Sequence, residues 1–206
     1  RFDATTSKET EGNATAPDIQ PGAKGVLQIP LPADWKNYDV LYVTVKDRYQ
    51  KELFTWSFPI SSPATTGARM IVKEGNNVIN TSEADSLLTV SVKDVTVVLN
   101  KNNGLLVSVK NTKGELPFNN GPVLQEGVNN FKSFKQYKEG NNLVLESSFN
   151  QKESYNTLKW TIYPSGWVQL QVHYFPAAYF TNFAGINFSF PEKEIQSVTY
   201  MGDGPY

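Results

Sequence analysis

The chain has 206 residues, 39% hydrophobic and 19% charged, with 19 basic and 20 acidic side chains and a formal net charge of -1. That balance excludes a disordered polymer, which pairs low hydrophobicity with high charge, and it supplies no field to hold a phosphate backbone, so no nucleic-acid partner is expected. The chain has no cysteine, which removes disulfides, thiol nucleophiles and thiolate metal sites, and no apolar run approaches the roughly 20 residues of a membrane helix.

The start, Arg1-Phe2-Asp3-Ala4, lacks the apolar core of a signal peptide. Either the mature chain begins here or this is a piece of something longer, and the piece is the favoured expectation. Absence of cysteine is compatible with secretion or a bacterial periplasm and establishes neither; a periplasmic or extracellular setting is favoured over the cytoplasm. Aromatics reach 13%. Such an excess serves pleated surfaces and also the stacking of rings on sugars, so it does not choose between them.

Period-two alternation runs through the chain and predicts strands. The first is residues 26–29, ended by Pro30-Leu31-Pro32. Leu41, Val43 and Val45 share the face of the next, with Tyr42, Thr44 and Lys46 opposite. After a polar turn at Asp47-Arg48, Phe54, Trp56 and Phe58 face together, predicting an antiparallel group with one buried face. Residues 59–70 carry two prolines and a Ser/Thr cluster, which reads as a linker. The domain boundary is expected there, giving a first region over 1–62, a linker over 63–70 and a second region over 71–206.

In the second region Val95, Val97 and Leu99 alternate, Asn100 to Gly104 turn the chain, and Leu105, Val107 and Val109 return. Gly and Asn accept positive φ, so this is a hairpin. A second turn falls at 111–114. Further strands are expected around Leu143 to Phe149, Leu158 to Ile162, 167–175, 183–190 and 195–200, with a turn at Pro164-Ser165-Gly166. Doubled asparagines at 76–77, 102–103, 119–120, 129–130 and 141–142 all fall between apolar runs, where turns belong. The pattern predicts a large β-sandwich. The first region has few strands against the roughly seven of an independent immunoglobulin-like sandwich, so further strands are expected outside this chain.

Residues 94–109 (DVTVVLNKNNGLLVSV) resemble the opening of the C-terminal β-sandwich of bacterial β-galactosidases, members of glycoside hydrolase family 2. Residues 166–172 (GWVQLQV) and 200–205 (YMGDGP) resemble the middle of that domain, although Asp203 stands where a basic residue is common. Residues 17–25 (PDIQPGAKG), with 27–32 and 41–45, are similar to the immunoglobulin-like domain before it. The resemblance implies an all-β chain: a partial immunoglobulin-like sandwich, then a galactose-mutarotase-like supersandwich. It also implies a partner in the same polypeptide, a (β/α)₈ catalytic barrel carrying both catalytic glutamates and acting on a carbohydrate, a β-galactoside or related glycan. In the family the supersandwich supports the barrel and sometimes lends a loop to the sugar pocket.

Candidate chemistry inside the chain is sparse, and no catalytic residue, metal ligand or cofactor is assigned. His173, the single histidine, is expected on one face of its strand with Trp167, Gln169 and Gln171, while Val168, Leu170 and Val172 face the core. That row offers a ring to stack and polar groups for hydroxyls. The plainer alternative is a solvated sheet face. A mutarotase needs a carboxylate to work with the histidine, and no partner for His173 stands out. Asp203 between two glycines is open to a ligand, though a turn explains it as well. Glu192 and Glu194 read as solvated. Gly202-Asp203-Gly204 lacks the rest of a dinucleotide motif, and no nucleophile elbow occurs. Of the four tryptophans, Trp35 is expected to be the most exposed. Asn13, Asn80 and Asn187 lie in sequons. A free-standing carbohydrate-binding module and a mutarotase-type epimerase are the alternatives to a supporting domain.

Overall fold

The computed structural model describes residues 2–3, 6, 8–127, 130–150, 155–174, 183 and 185–196. Among the described residues the chain is all-β apart from one short helix and single turns of 3₁₀ helix, and it divides into two compact units, the first running to Val72 and the second starting at Lys73.

The first unit holds β1 (Phe2–Asp3), β2 (Lys8–Glu9), β3 (Val40–Lys46) and β4 (Glu52–Pro59), paired antiparallel in the order β2-β1-β3-β4. Asp47 makes the β3–β4 turn by accepting from the backbone of Tyr49 at 2.8 Å and Lys51 at 2.9 Å. Register places Leu41 opposite Phe58, Val43 opposite Trp56 and Val45 opposite Phe54. All six apolar side chains therefore share one face, as the alternation requires. That face is not buried: Phe54, Trp56 and Phe58 are 45–55% exposed. Alternation decides which residues share a face, but burial needs a second layer over it. The strand expected at 26–29 does not form, and residues 11–32 hold no strand or helix.

The expected linker at 63–70 is instead an α-helix, α1 (Pro63–Met70). The residues that suggested a linker are its start signal. Ser62 caps the first turn by accepting from the Thr65 backbone, Pro63 occupies the first turn where it loses no hydrogen bond, and Arg69 sits in the last. The helix is tied to Asp39, 1% exposed, whose carboxylate pairs with Arg69 and accepts from Thr66 Oγ1 at 3.2 Å.

The second unit is a two-sheet sandwich. One sheet contains β5 (Ile79–Ala84), β6 (Leu87–Val92), β7 (Val95–Asn100), β8 (Leu106–Asn111), β9 (Gly114–Leu116), β10 (Asn119–Leu124) and β15 (Ile186–Ser189), in the order β15-β10-β8-β7-β6-β5 with β9 beside β8. The other contains β11 (Phe131–Glu139), β12 (Asn142–Phe149), β13 (Tyr155–Ile162) and β14 (Val168–Tyr174) in sequence order. Both sheets fill one core: Leu88, Val90, Val97, Leu99 and Leu106 from the first meet Leu143, Leu145, Trp160 and Ile162 from the second. Burial of such side chains stabilises by about 1.5–3 kcal/mol each. A smaller cluster of Leu124, Phe149 and Leu158 continues it, with Phe131 edge-on to Phe149 at 6.0 Å.

The hairpin expected over 95–109 forms as β7–β8, with Gly104 at φ +76. Strands β5, β6, β9, β10 and β11 are additional to the expectations. The 119–120 doublet opens β10 instead of making a turn, with Asn120 at φ 51. Residues 192–194 form a 3₁₀ turn, and the strand expected at 195–200 lies mostly outside the described residues.

Candidate functional site

The four-stranded sheet of the second unit has two faces, fixed by register. Val168 and Leu170 pack on the main core, and Val172 packs on the smaller cluster, as their alternation predicts. Gln169, Gln171 and His173 consequently lie on the outer face, with Trp167 just before the strand and 44% exposed.

Across the outer face, residues pair in three rows. One row is Ser133, Ser148, Thr157 and His173; the next is Lys135, Glu146, Lys159 and Gln171; the third is Tyr137, Val144, Thr161 and Gln169. Much of the polarity is satisfied internally. Tyr137 donates to Glu146 at 2.9 Å, Lys159 pairs with Glu139 at 2.9 Å, and the Ser133 and Ser148 hydroxyls meet at 2.7 Å. Burial, with the hydrogen bond to Glu146 second, raises the Tyr137 phenol above its ordinary value, and the bond to Glu139 raises the Lys159 ammonium.

Gln169 is the most engaged of the expected residues. Its Oε1 accepts from Tyr163 OH at 2.6 Å and from Lys73 Nζ at 3.3 Å, and Lys73 also lies 5.2 Å over the Tyr163 ring. Only the amide NH₂ remains to meet a ligand. Lys73 and Tyr163 escaped the sequence analysis because neither alternates with the 167–173 row, and Lys73 is 96 residues away in sequence.

Spacing limits what the row can do. Trp167 and His173 stand six residues apart, roughly 20 Å along extended chain, so they cannot close on one sugar ring. An extended glycan could run along them. His173 is exposed and faces Thr157 across the strand pair. Glu146 lies two strands away, roughly 10 Å or more, and is already opposite Lys159 and bonded to Tyr137. That geometry does not bring an acid–base pair around a bound sugar.

Asp203 lies outside the described residues. Glu192 and Glu194 are exposed in their 3₁₀ turn. Trp35 is only half-buried, under Lys36 Nζ at 5.7 Å, while Trp56 and Trp167 are the more exposed tryptophans. Among the described residues no group of three or more His, Cys, Asp or Glu could hold a metal ion. Compared with models of known protein families and with curated proteins, the chain matches none.

Proposed function

We propose that this chain is a non-catalytic β-domain segment of a family 2 glycoside hydrolase, of β-galactosidase type, supporting a catalytic barrel that acts on β-galactosides. The observation that carries the reading is the open face of the first unit. Phe54, Trp56 and Phe58 stand side by side on one sheet at about half exposure. Soluble monomers rarely leave contiguous apolar faces to water, and such faces mark contact surfaces. A supporting module needs one. The motifs at 94–109 and 166–172 supply the choice of family, and the sandwich of the second unit is the architecture they imply.

The test is the coding sequence around this segment, together with the full-length product. An upstream (β/α)₈ barrel with two glutamates placed to flank a glycosidic bond, and hydrolysis of a chromogenic β-galactoside, are the expected results. A full-length product with neither overturns the reading.

A free-standing carbohydrate-binding module is the second reading, favoured by the exposed ring of Trp167 in line with Gln171 and His173. Titration with galactosides and glucans separates the two. Saturable binding that falls at least tenfold on Trp167→Ala supports the module, whereas binding unaffected by that change removes the Trp167 row as its site, and no saturable binding removes the module.

A further inference from the structure

Two of the five asparagine doublets, 65 residues apart in sequence, meet at one groove. The 75–79 segment crosses the β13–β14 turn, and the β11–β12 turn rises beside it. Between them lies a concavity of about 400 Å³ lined by Asn76, Asn77, Gln136, Lys138, Asn141 and Asn142. Its size falls within the roughly 300–1,000 Å³ of small-molecule sites.

The groove depends on two glycines. A Cβ on Gly75 would stand 2.7 Å from the Ser165 nitrogen and 2.8 Å from the Pro164 carbonyl carbon, so only glycine lets this segment lie against the turn. Gly140, at φ +59, bends the β11–β12 turn that presents Asn141 and Asn142. Asn77 then locks the segment by donating from Nδ2 to the Pro164 carbonyl at 2.7 Å.

The remaining amides are unspent. Among the described residues, Asn76, Gln136, Asn141 and Asn142 have no side-chain hydrogen bond to the protein. Each amide offers two donors and an acceptor, the combination that matches a hydroxyl able to give and take at once. The lining holds one cation, Lys138, and no carboxylate. Val78, 73% exposed, and Ile79 add an apolar strip for the C–H face of a ring.

We infer that this groove binds a neutral, hydroxyl-rich ligand, a saccharide of one to a few rings. The site is separate from the Trp167 row. Gln136 and Lys138 pair with Leu145 and Leu143 and so project from the opposite face of the sheet to Gln169, Gln171 and His173. It requires neither the parent enzyme proposed above nor the outer face.

The test is a nitrogen-15 NMR titration of the whole chain with lactose, cellotetraose and maltotetraose in turn. Saturable shifts of the side-chain amides of Asn76, Gln136, Asn141 and Asn142 are expected with at least one of the three. Gln136→Ala combined with Asn141→Ala should weaken that binding roughly tenfold, the worth of one or two hydrogen bonds, without moving the urea midpoint. Trp167→Ala should leave it unchanged. Three outcomes overturn the inference. One is no saturable response to any of the sugars, and another is shifts confined to the 167–173 row. The third is a response only to an extended Thr/Val hexapeptide with new protection of the β5 amides, which would make the cleft a strand-addition site.

Discussion

Gly104 and Ser147 show how closely single atoms constrain the sandwich. Gly104 has φ +76, and a Cβ there would lie 2.4 Å from Ser147 Oγ and 2.9 Å from Ser147 Cβ. Its carbonyl accepts from Trp160 Nε1 at 3.2 Å, tying the β7–β8 turn to the opposite sheet. Gly104→Ala is predicted to cost about 2–4 kcal/mol, combining left-handed backbone strain with overpacking, measured by urea unfolding. The Ser147 hydroxyl itself is buried without a hydrogen-bond partner. Ser147→Ala removes that orphan and should hold or raise stability by about 1 kcal/mol. Because the two positions touch, the double variant should lose less than the sum of the single changes. The turn glycine was legible in the sequence, since an Asn-Asn-Gly run between alternating segments calls for positive φ. Its contact with Ser147 was not, because 43 residues of chain separate them.

Individual elements divide by how local their signals are. β7, β12 and β14 announce themselves by alternation against a buried face, whereas in β8 a register shift at Val107 turns Leu106 into the core and leaves Val107 39% exposed, so the face expected to hold Leu105, Val107 and Val109 does not form as such. Helix α1 was hidden because Ser-Pro and Thr-Thr serve equally well as a linker or as a capped first turn, and Asp39, which holds the helix, lies just before β3. On the four-stranded sheet of the second unit, the burial of Tyr137 and the hydrogen bond of Lys159 to Glu139 make stability depend on pH. Tyr137 and Lys159 both have folded values above their ordinary 10.0 and 10.5, so the folded state keeps their protons longer than the unfolded chain does. Their contribution is complete below the unfolded values and disappears as pH climbs through the folded ones. The urea midpoint should therefore hold steady from about pH 8 to about pH 9.5 and fall above about pH 10. Tyr137→Phe should make that alkaline fall shallower, and the opposite result would show that the phenol is not held by its surroundings.

At the scale of the whole chain, the two units bury their apolar residues to different degrees. In the second, Leu145 is 0% exposed between two sheets, whereas in the first, Phe58 is 50% exposed on a single sheet. Leu145→Ala should cost about 2–5 kcal/mol, the transfer of a large side chain plus the cavity left behind. Phe58→Ser should cost less than about 1 kcal/mol and lower any concentration-dependent self-association through this face, read by sedimentation-velocity centrifugation or light scattering. Equal losses at the two positions would mean that the face of β3 and β4 is covered in solution.

The sequence by itself determined the all-β class, the faces of β3, β4, β7, β12, β13 and β14, and the 167–173 row, because side-chain direction in a regular strand follows from period two alone. It could not decide which faces are covered, since alternation reads the same whether the opposite layer is protein or water. Nor could it bring Lys73 to Gln169 or Asn76 to Asn141. Those meetings arise only when two sheets close on a common core and the turns at their ends are carried together.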